Sequence, residues 1–313
     1  MFPQVQGHTR KTVIDDTDGP CMWETSIPIS YRDYGLQDNP SREQVLKEHV
    51  KTVLSMFQDN LNIKDDIKCF EVKGTTEQSK SLSWHNERLL RMTASTSKQT
   101  CSFGEKIRGG NIHSMKPMAN YIKLKLWFAK NIQTQDMKYG LSEEPNARKA
   151  YMDTADSTVV ETGMWVNVDF LFLGASPDGL IIENNEAVGL LEIKCLKIMK
   201  DLTVLELIEK IEKHQLSTTL IGRQCFKLVD GKLILKVNHK FYYQTQLQML
   251  VTGLPFCDFV LHTPKGPPSI QRIQQDIPFQ MEMARNISVF WKKVFIPEYF
   301  EMRIPRGLTP FVL

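Results

Sequence analysis

Apolar residues recur along the chain at two spacings, and each spacing predicts a different kind of element. The segment SREQVLKEHVKTVLSMF (41–57) places apolar side chains three and four positions apart, which predicts an amphipathic helix with Ser41 as its N-cap. From residue 165 onward, short apolar and β-branched runs separated by Asp-Gly, Asn-Asn and Gly predict the strands of a central sheet. These runs are WVNVDFLFLGA, GLIIEN, AVGLLEIKC and KLILKV.

Further helical patterns lie on either side of this strand-rich region. We predict one helix over SWHNERLLRMTAS (83–95) and another over KPMANYIKLKLWFAK (116–130). FYYQTQLQMLVTG (241–253) returns to helical spacing, and CDFVLHTPKG (257–266) is typical of a strand that ends in a turn. Helices, a sheet, a helix and a strand in this order predict an α/β or α+β domain.

Composition agrees with a globular protein and narrows its surroundings. The 313 residues are 42% hydrophobic and 24% charged, and the net charge of +3 permits an anionic partner without requiring one. The six cysteines are scattered, which predicts free thiols in a reducing compartment. The N-terminus lacks the apolar core of a signal peptide, and no apolar run approaches the roughly 18 residues of a membrane helix. We therefore expect a soluble intracellular protein with no membrane partner.

One predicted strand carries charged residues inside an apolar run. Side chains on a strand alternate, so GLLEIKC (189–195) places Glu192 and Lys194 on one face and Leu191, Ile193 and Cys195 on the other. Taken alone, the triplet is most simply an edge strand with a solvated face and an incidental ion pair. Its meaning depends on what precedes it.

Asp178 lies in GASPDGL (174–180), where one apolar run gives way to the next. Asp-Gly at such a place is commonly only a turn. A hairpin, however, would bring Asp178 towards Glu192 and Lys194. Two carboxylates with water suit Mg²⁺ or Mn²⁺, and a nearby lysine can orient an attacking water or neutralise charge on a phosphate.

The sequence resembles a known family at this point. SPDG followed by LEIKC is similar to the P-D…(D/E)-x-K nuclease core, and the chain resembles the YqaJ-type viral recombinase family, relatives of phage lambda exonuclease, over roughly residues 75–300. Five blocks occur in the family's order: SWHNERLLRMTAS (83–95), EEPNARKAY (143–151), GASPDGL (174–180), GLLEIKC (189–195) and YYQTQLQM (242–249).

The resemblance implies a fold and a division of the chain. It implies a restriction-endonuclease-like α/β core, in which a central mixed β-sheet is flanked by helices. The nuclease domain would span residues 76–300, preceded by an extension over residues 1–75 that contains one amphipathic helix and followed by a tail over residues 301–313.

The resemblance also implies roles for particular residues. The family's metal ligands match Glu144, Asp178, Glu192 and the main-chain carbonyl of Ile193. Its catalytic lysine matches Lys194, which would act with Asp178 and Glu192, and a glutamine that helps to order its active site matches Gln244. The family often has a tyrosine where this chain has Phe241, so any role of that hydroxyl is in doubt here.

Local patterns qualify two of these assignments. Pro145 is typical of the first turn of a helix, which places Glu144 at a helix start, where the helix dipole alone would favour a carboxylate. The glutamines of YYQTQLQM fit the wet side of an amphipathic helix, and we expect this for Gln246.

A separate set of residues matches those with which the family holds a terminal phosphate of DNA. These residues are Arg88, Ser95 and Ser176. Arg91 lies one turn after Arg88 on the predicted helix and could face phosphate too, together with Lys98. We expect Trp84 to anchor the core.

We therefore expect Mg²⁺-dependent hydrolysis of duplex DNA from its 5′ ends, in recombination or repair, with Mn²⁺ as an alternative cofactor. An endonuclease with the same site and a silent DNA-binding protein of the same fold remain alternatives. A single-strand annealing protein and further copies of this chain are partners that the resemblance leaves open.

Overall fold

The structure is a computed structural model that describes residues 42–61, 68–128 and 134–312. Its helices, in chain order, are α1 (Arg42–Leu61), α2 (Leu82–Leu89), α3 (Ser97–Arg108), α4 (Lys116–Ile122), α5 (Gln135–Ala155), α6 (Val204–Glu212), α7 (Thr218–Gly222), α8 (Lys240–Thr252), α9 (Ile277–Phe290) and α10 (Ile296–Glu301). Its strands are β1 (Cys69–Glu71), β2 (Met92–Thr93), β3 (Thr158–Val160), β4 (Trp165–Asn167), β5 (Leu173–Gly174), β6 (Gly179–Glu183), β7 (Glu186–Cys195), β8 (Phe226–Val229), β9 (Lys232–Leu235), β10 (Phe256–His262) and β11 (Ser269–Gln274).

The main sheet has five strands in the order β11-β10-β7-β6-β3. Strand β10 runs parallel to β7, whereas the other neighbouring pairs are antiparallel. The predicted α/β fold with a central mixed sheet is thereby confirmed. Because β7 lies in the middle of the sheet, the simpler explanation of GLLEIKC as an edge strand is wrong.

A tight hairpin joins β6 to β7. Asn184 and Asn185 form its turn with φ angles of 51° and 66°, the conformation that a two-residue hairpin with the right twist requires. The pairing of Gly179 with Leu191 then sets the register, so Asp178 lies immediately before the ladder, beside the second half of β7. The hairpin that the sequence predicts is therefore present.

Helices cover both faces of the sheet. Leu191 and Ile193 pack with Ala147 and Tyr151 of α5 in one apolar core. Leu190 packs on the other face in a second core that includes Met249 of α8. The alternation of β7 thus directs Glu192 and Lys194 towards the α8 side, as the sequence predicts.

Three predictions about the elements were wrong. The helix predicted over 83–95 ends at Leu89, and the buried strand β2 follows, because pairing with β5 outweighs the local helical spacing. KLILKV supplies β9, which forms a two-stranded sheet with β8 in the described part of the chain. WVNV supplies β4, which pairs with β1, so neither strand belongs to the main sheet. Local β-propensity predicts a strand but not its partner.

The described chain divides into two compact units. Residues 68–99 and 134–283 form the unit that contains the sheet. Residues 42–61, 100–128 and 284–312 form the other unit, in which α1 buries an apolar stripe that includes Val53 and Phe57. The predicted N-terminal helix is present as α1, whereas its predicted cap at Ser41 and residues 1–41 in general lie outside the described residues. The domain boundaries near residues 75 and 300 stay a prediction.

No helix among the described residues is both long enough and apolar enough to cross a membrane.

Candidate active site

Glu192 is fully buried near the middle of the main sheet and has a partner on each side of its carboxylate. Its Oε1 accepts hydrogen bonds from Lys194 and, at 2.6 Å, from the side-chain amide of Gln244. Its Oε2 accepts a hydrogen bond of 2.6 Å from Gln248. Gln244 and Gln248 lie one turn apart on α8, so one stripe of that helix holds the carboxylate.

Lys194 lies between Glu192 and the same stripe of α8. Besides the bond to Glu192, its ammonium donates to the carbonyl oxygen of Ile193 at 3.0 Å and lies 4.9 Å from the ring centroid of Phe241. The family's tyrosine is thus replaced by a ring that contacts the lysine by its face. Burial opposes the charge on Lys194, but the neighbouring carboxylates, Glu192 first among them, outweigh it, so the pKa of Lys194 is raised.

Asp178 lies at the start of β6, beside both of these residues. Its backbone N–H donates to Leu191 at 3.1 Å, and its Oδ2 accepts a hydrogen bond of 2.7 Å from the backbone N–H of Ile193. These two bonds tie the residue to β7. The hairpin therefore brings Asp178, Glu192 and Lys194 together, as the sequence predicts.

Glu144 reaches the same region from α5, but its place in the helix corrects a prediction. The helix begins at Gln135 with Thr134 as its cap, and Pro145 lies inside it, so Glu144 is in mid-helix rather than at a start. Pro145 therefore does not mark the first turn of this helix. The helix dipole at an N-terminus therefore does not explain this carboxylate.

Arg148 positions Glu144, and the sequence assigned it no role. Its guanidinium donates to Glu144 at 2.9 Å and to the backbone oxygen of Asp178 at 3.2 Å, and it also contacts Glu161. The spacing of four between Glu144 and Arg148 is the only sequence signal for this pair. One turn further along, Tyr151 donates to Asp258 of β10 at 2.7 Å, which anchors α5 to the sheet.

Burial and the charge of Asp178 raise the pKa values of two glutamates in this region. Burial and the nearby charge of Asp178 raise the pKa of Glu192 to about 7. The same two causes raise the pKa of Glu144 to about 7, although Arg148 acts in the opposite direction. Negative charge is therefore in excess in this region, and a bound cation would relieve it.

The donor atoms suit a hard divalent cation, but the side chains do not point to a single position that such a cation could occupy. Carboxylate and carbonyl oxygens are what Mg²⁺ and Mn²⁺ prefer, and Asp178, Glu192 and Ile193 present such oxygens side by side. Within the ranges that the structure describes, no three His, Cys, Asp or Glu side chains are grouped so as to hold a metal ion. Glu192 is instead held by Lys194 and its glutamines, and Glu144 by Arg148.

Two of the three residues predicted to hold a terminal phosphate follow the paired positions of a small sheet. Strands β2 and β5 are parallel, with Thr93 paired to Gly174, so Ser95 and Ser176 each lie two residues beyond a paired position. Ser95 lies in the 3₁₀ turn Ala94–Thr96, which follows β2 directly. Ser176 is two residues from Asp178, so this serine adjoins the carboxylates.

Trp84 contacts both Arg88 and Ser176. The indole Nε1–H of Trp84 donates to the hydroxyl of Ser176 at 2.8 Å, and the guanidinium of Arg88 lies 3.8 Å from the centroid of the indole ring. Trp84 is half-buried. Its contacts with Ser176 and Arg88 show that it does more than anchor the core.

Two other expectations were wrong because the side chains are buried. Arg91 is fully buried, where it binds Glu87 and, at 3.0 Å, the carbonyl oxygen of Leu171, so it does not face a phosphate. Gln246 is buried too and bonds to Gln274 at 2.9 Å, so it is not on a wet side of α8.

The chain belongs to the YqaJ-like viral recombinase domain family. The family's sequence model matches residues 83–255, which is more than half of the chain and includes all the site residues described above. The resemblance noted in the sequence is confirmed. A comparison with curated proteins finds no significant match.

Several solved structures are similar to this chain. The alkaline exonuclease LHK-Exo from Laribacter hongkongensis matches at 22% identity with a TM-score of 0.45, over 72% of this chain and 95% of that chain. Its complex with dAMP matches at 24% identity with a TM-score of 0.46, over the same 72% and 95%. A phage related exonuclease from Haemophilus somnus 129PT matches at 12% identity with a TM-score of 0.45, over 71% of this chain and 99% of that chain.

Proposed function

We propose that this protein is a divalent-metal-dependent deoxyribonuclease that degrades duplex DNA from its 5′ ends in recombination or repair. The observation that carries the proposal is the fully buried carboxylate of Glu192 on the central strand, beside Lys194 and Asp178. A buried charge of this kind is costly, and an apolar side chain at position 192 would fill the space at lower cost. Its retention favours an active enzyme over a DNA-binding protein that keeps only the fold.

The cofactor that fits is Mg²⁺, with Mn²⁺ as a substitute. Asp178, Glu192 and the carbonyl oxygen of Ile193 would hold it, and Glu144 would complete the site from α5 once its carboxylate turns from Arg148. When bound, the ion would polarise the scissile phosphate and lower the pKa of a water ligand. The excess negative charge described above favours its binding.

The protein side chains would then support a hydrolytic displacement at phosphorus. The oxygen of the attacking water forms a bond to phosphorus and gives up a proton, while the bond from phosphorus to the leaving sugar oxygen breaks. The leaving oxygen takes up a proton, so the net reaction adds one water across that bond. Lys194 would orient the water or neutralise the negative charge that grows on the phosphate oxygens. Gln244 and Gln248 would keep Glu192 oriented during this step.

The preference for 5′ ends would come from Arg88, Ser95 and Ser176. An arginine fork makes paired, charge-assisted bonds to phosphate, and two hydroxyls can donate to its remaining oxygens. Because Ser176 lies two residues from Asp178, a phosphate held here would set the distance to the scissile bond. Duplex with 5′-phosphate ends should therefore be degraded faster than duplex with 5′-hydroxyl ends.

The experiment that tests this function compares linear with covalently closed duplex DNA of one sequence, in Mg²⁺ and in EDTA. We expect nucleotides to be released from linear DNA in Mg²⁺, and neither release nor nicking with EDTA or with closed circles. Efficient nicking of closed circles would assign internal cleavage instead. Binding of DNA without hydrolysis in Mg²⁺ or Mn²⁺ would leave only a DNA-binding protein.

Arg88 provides the test of end recognition. Arg88→Ala should remove most of the difference between 5′-phosphate and 5′-hydroxyl ends, a loss of about 1.5–3 kcal/mol for a charged hydrogen bond. Arg88→Lys should restore part of it, since lysine keeps the charge but lacks the fork. Equal rates on both kinds of end in the wild type would exclude phosphate-directed recognition.

A further inference from the structure

Three lysines converge on the turn that leads from β9 into α8. The ammonium of Lys98 donates to the carbonyl oxygen of Asn238, within this turn. Lys236, at the start of the turn, donates to the carbonyl oxygens of Gly222 and Gln224 at 2.9 Å and 2.8 Å. Lys240, at its end, places its ammonium 5.2 Å from the ring centroid of Phe241. We call Lys98, Lys236 and Lys240 the lysine surface.

No carboxylate of the described residues neutralises the positive charge of the lysine surface. None of its three ammonium groups forms an ion pair with a carboxylate of residues 42–61, 68–128 or 134–312. Some other lysines do form such pairs, since Lys213 pairs with Glu209 and Lys47 with Glu43. Lys98 and Lys240 are exposed, so an external anion can reach them.

His239 reports the same concentration of charge. Its ring lies in the middle of the turn, where Nδ1 accepts a hydrogen bond of 3.2 Å from the backbone N–H of Phe241. Burial, followed by the charges of the three lysines, lowers the pKa of His239 to about 4. The ring is therefore neutral near pH 7, because burial and the three nearby ammonium groups disfavour its protonation.

The lysine surface adjoins the candidate active site through a single ring. Phe241 contacts Lys240 and also Lys194, at 5.2 Å and 4.9 Å from its centroid. The half-buried ring of Tyr243, 5.9 Å from the ammonium of Lys98, lies on the same turn of α8. A strand whose scissile phosphate lies at Lys194 would thus meet the lysine surface within a few nucleotides, since one strand rises about 3.4 Å per nucleotide.

We propose that the lysine surface binds backbone phosphates of the DNA strand that occupies the active site. This proposal rests on the proposed function and adds where the strand runs beyond the scissile bond. Lysines bind phosphate as point charges, and neutralising phosphates releases counterions, so the contacts depend on salt but not on base sequence. Lys236 is fixed by two carbonyl oxygens and sets the shape of the surface, whereas Lys98 and Lys240 make the exposed contacts.

The test measures binding of a fluorescent linear duplex in EDTA, where no hydrolysis occurs, over a range of NaCl concentrations. The double variant Lys98→Gln, Lys240→Gln should bind several-fold more weakly at moderate salt. Its plot of log affinity against log salt should be flatter by about 2, because each lost phosphate contact contributes about 0.9 to the slope. Lys98→Arg with Lys240→Arg should keep both the affinity and the slope.

The matched control removes the same charge elsewhere in the same unit. Lys210→Gln on α6, combined with Lys213→Gln at the C-cap of that helix, should leave the slope as in the wild type. Lys240→Gln alone breaks no hydrogen bond among the described residues, so it serves if loss of the bond from Lys98 lowers the melting temperature, and it should flatten the slope by about 1.

The outcomes separate the two proposals. If the wild type hydrolyses linear duplex but the double variant Lys98→Gln, Lys240→Gln keeps the wild-type slope and affinity, only the proposal for the lysine surface is overturned. A wild-type protein that neither binds nor hydrolyses duplex DNA would overturn the proposed function, and the lysine surface with it.

Discussion

The indole N–H of Trp84 donates a hydrogen bond of 2.8 Å to the hydroxyl of Ser176, residues that are 92 positions apart in the chain. The same indole carries the guanidinium of Arg88 on its face, at 3.8 Å. One side chain therefore holds two of the three groups that we propose to grip a terminal phosphate. With its oxygen accepting from Trp84, the Ser176 hydroxyl can direct its own hydrogen to a phosphate oxygen.

We expect Trp84→Phe to weaken the preference for 5′-phosphate ends by several-fold, because it keeps a ring beneath Arg88 but leaves Ser176 without its donor. The measurement is the ratio of initial rates on 5′-phosphate and 5′-hydroxyl duplexes. Trp165→Phe is the matched control, since that half-buried indole donates a bond of 2.7 Å to Thr162 instead. If both variants change the ratio equally, Trp84 does not position the phosphate-binding group.

Glu192→Gln and Lys194→Ala should each lower the rate of hydrolysis by about 100- to 1000-fold or more, because each removes a charged group that would touch the metal or the reacting phosphate. Both variants should still bind duplex in EDTA. Near wild-type cleavage by either one would show that the chemistry lies elsewhere. A fall in stability of several kcal/mol would point to a structural role for the pair.

Glu144→Gln should weaken Mg²⁺ binding, as should Asp178→Asn, because each removes a negative charge from a hard-cation site. Calorimetric titration of Mg²⁺ measures this directly. Glu161→Gln is the control, since Glu161 also contacts Arg148 but is exposed. Equal Mg²⁺ affinities in the Glu144 and Glu161 variants would leave Glu144 as no more than a partner of Arg148.

Gln248→Met should lower activity and cost less stability than Gln246→Met. The side-chain amide of Gln248 donates to Glu192, but its Oε1 is buried and has no hydrogen-bond partner among the described residues. Methionine removes that unsatisfied oxygen, which offsets part of the cost of leaving Oε2 of Glu192 without its donor, while kcat falls about tenfold.

Gln246→Met gives the opposite expectation and serves as the comparison for Gln248. Gln246 is fully satisfied, since its Oε1 accepts bonds of 2.9 Å from Asp276 and Gln280. Its loss should cost about 2–4 kcal/mol of stability with activity retained in the folded fraction. A Gln248 variant that is as destabilised as the Gln246 variant would contradict the assignment of Gln248 to the site.

Glu298 should make stability depend on pH. This residue of α10 is buried, and burial raises its pKa to about 7, although it accepts a hydrogen bond of 2.7 Å from the backbone N–H of Ile304. In the unfolded chain a glutamate has a pKa of about 4.3, so folding favours the protonated form and stability falls as the pH rises from about 4 to about 7. Glu298→Gln should remove the contribution of Glu298 to this slope and be more stable at pH 8, by at most about 4 kcal/mol.

Urea unfolding between pH 4 and pH 8 measures the effect, with Glu105→Gln, an exposed position of α3, as control. A Glu298 variant with the wild-type slope would show that another group titrates in this range.

Local periodicity was sufficient for the parts of the site that lie on one hairpin. Alternation along GLLEIKC placed Glu192 and Lys194 on one face, and Asp-Gly and Asn-Asn marked the ends of the strand that brings Asp178 beside them. Such features follow from the geometry of a strand and a two-residue turn, which depend on residues close together in sequence. The family resemblance rests on the order of short sequence blocks, and the match of the family model confirms it.

What sequence reasoning missed depends on partners that are distant along the chain. Nothing near Arg91 or Gln246 indicates that each would be buried with partners from another element, and nothing near Trp84 points to Ser176. Pro145 departs from the local rule that places proline in the first turn of a helix. Helix α5 extends ten residues before Pro145 and is held by packing against the sheet.

The sequence by itself determined the hairpin of β6 and β7, the alternation of β7 and the identity of the charged residues. Only the tertiary structure decided which of those charged side chains are buried and which residues bind them. The pKa of a buried charged group depends on every neighbour within a few ångströms. Glu192 is a candidate catalytic group because α8 covers it with Gln244 and Gln248 and because Asp178 lies beside it. Those contacts join separate elements of the chain, and they exist only after the sheet and its helices have packed together.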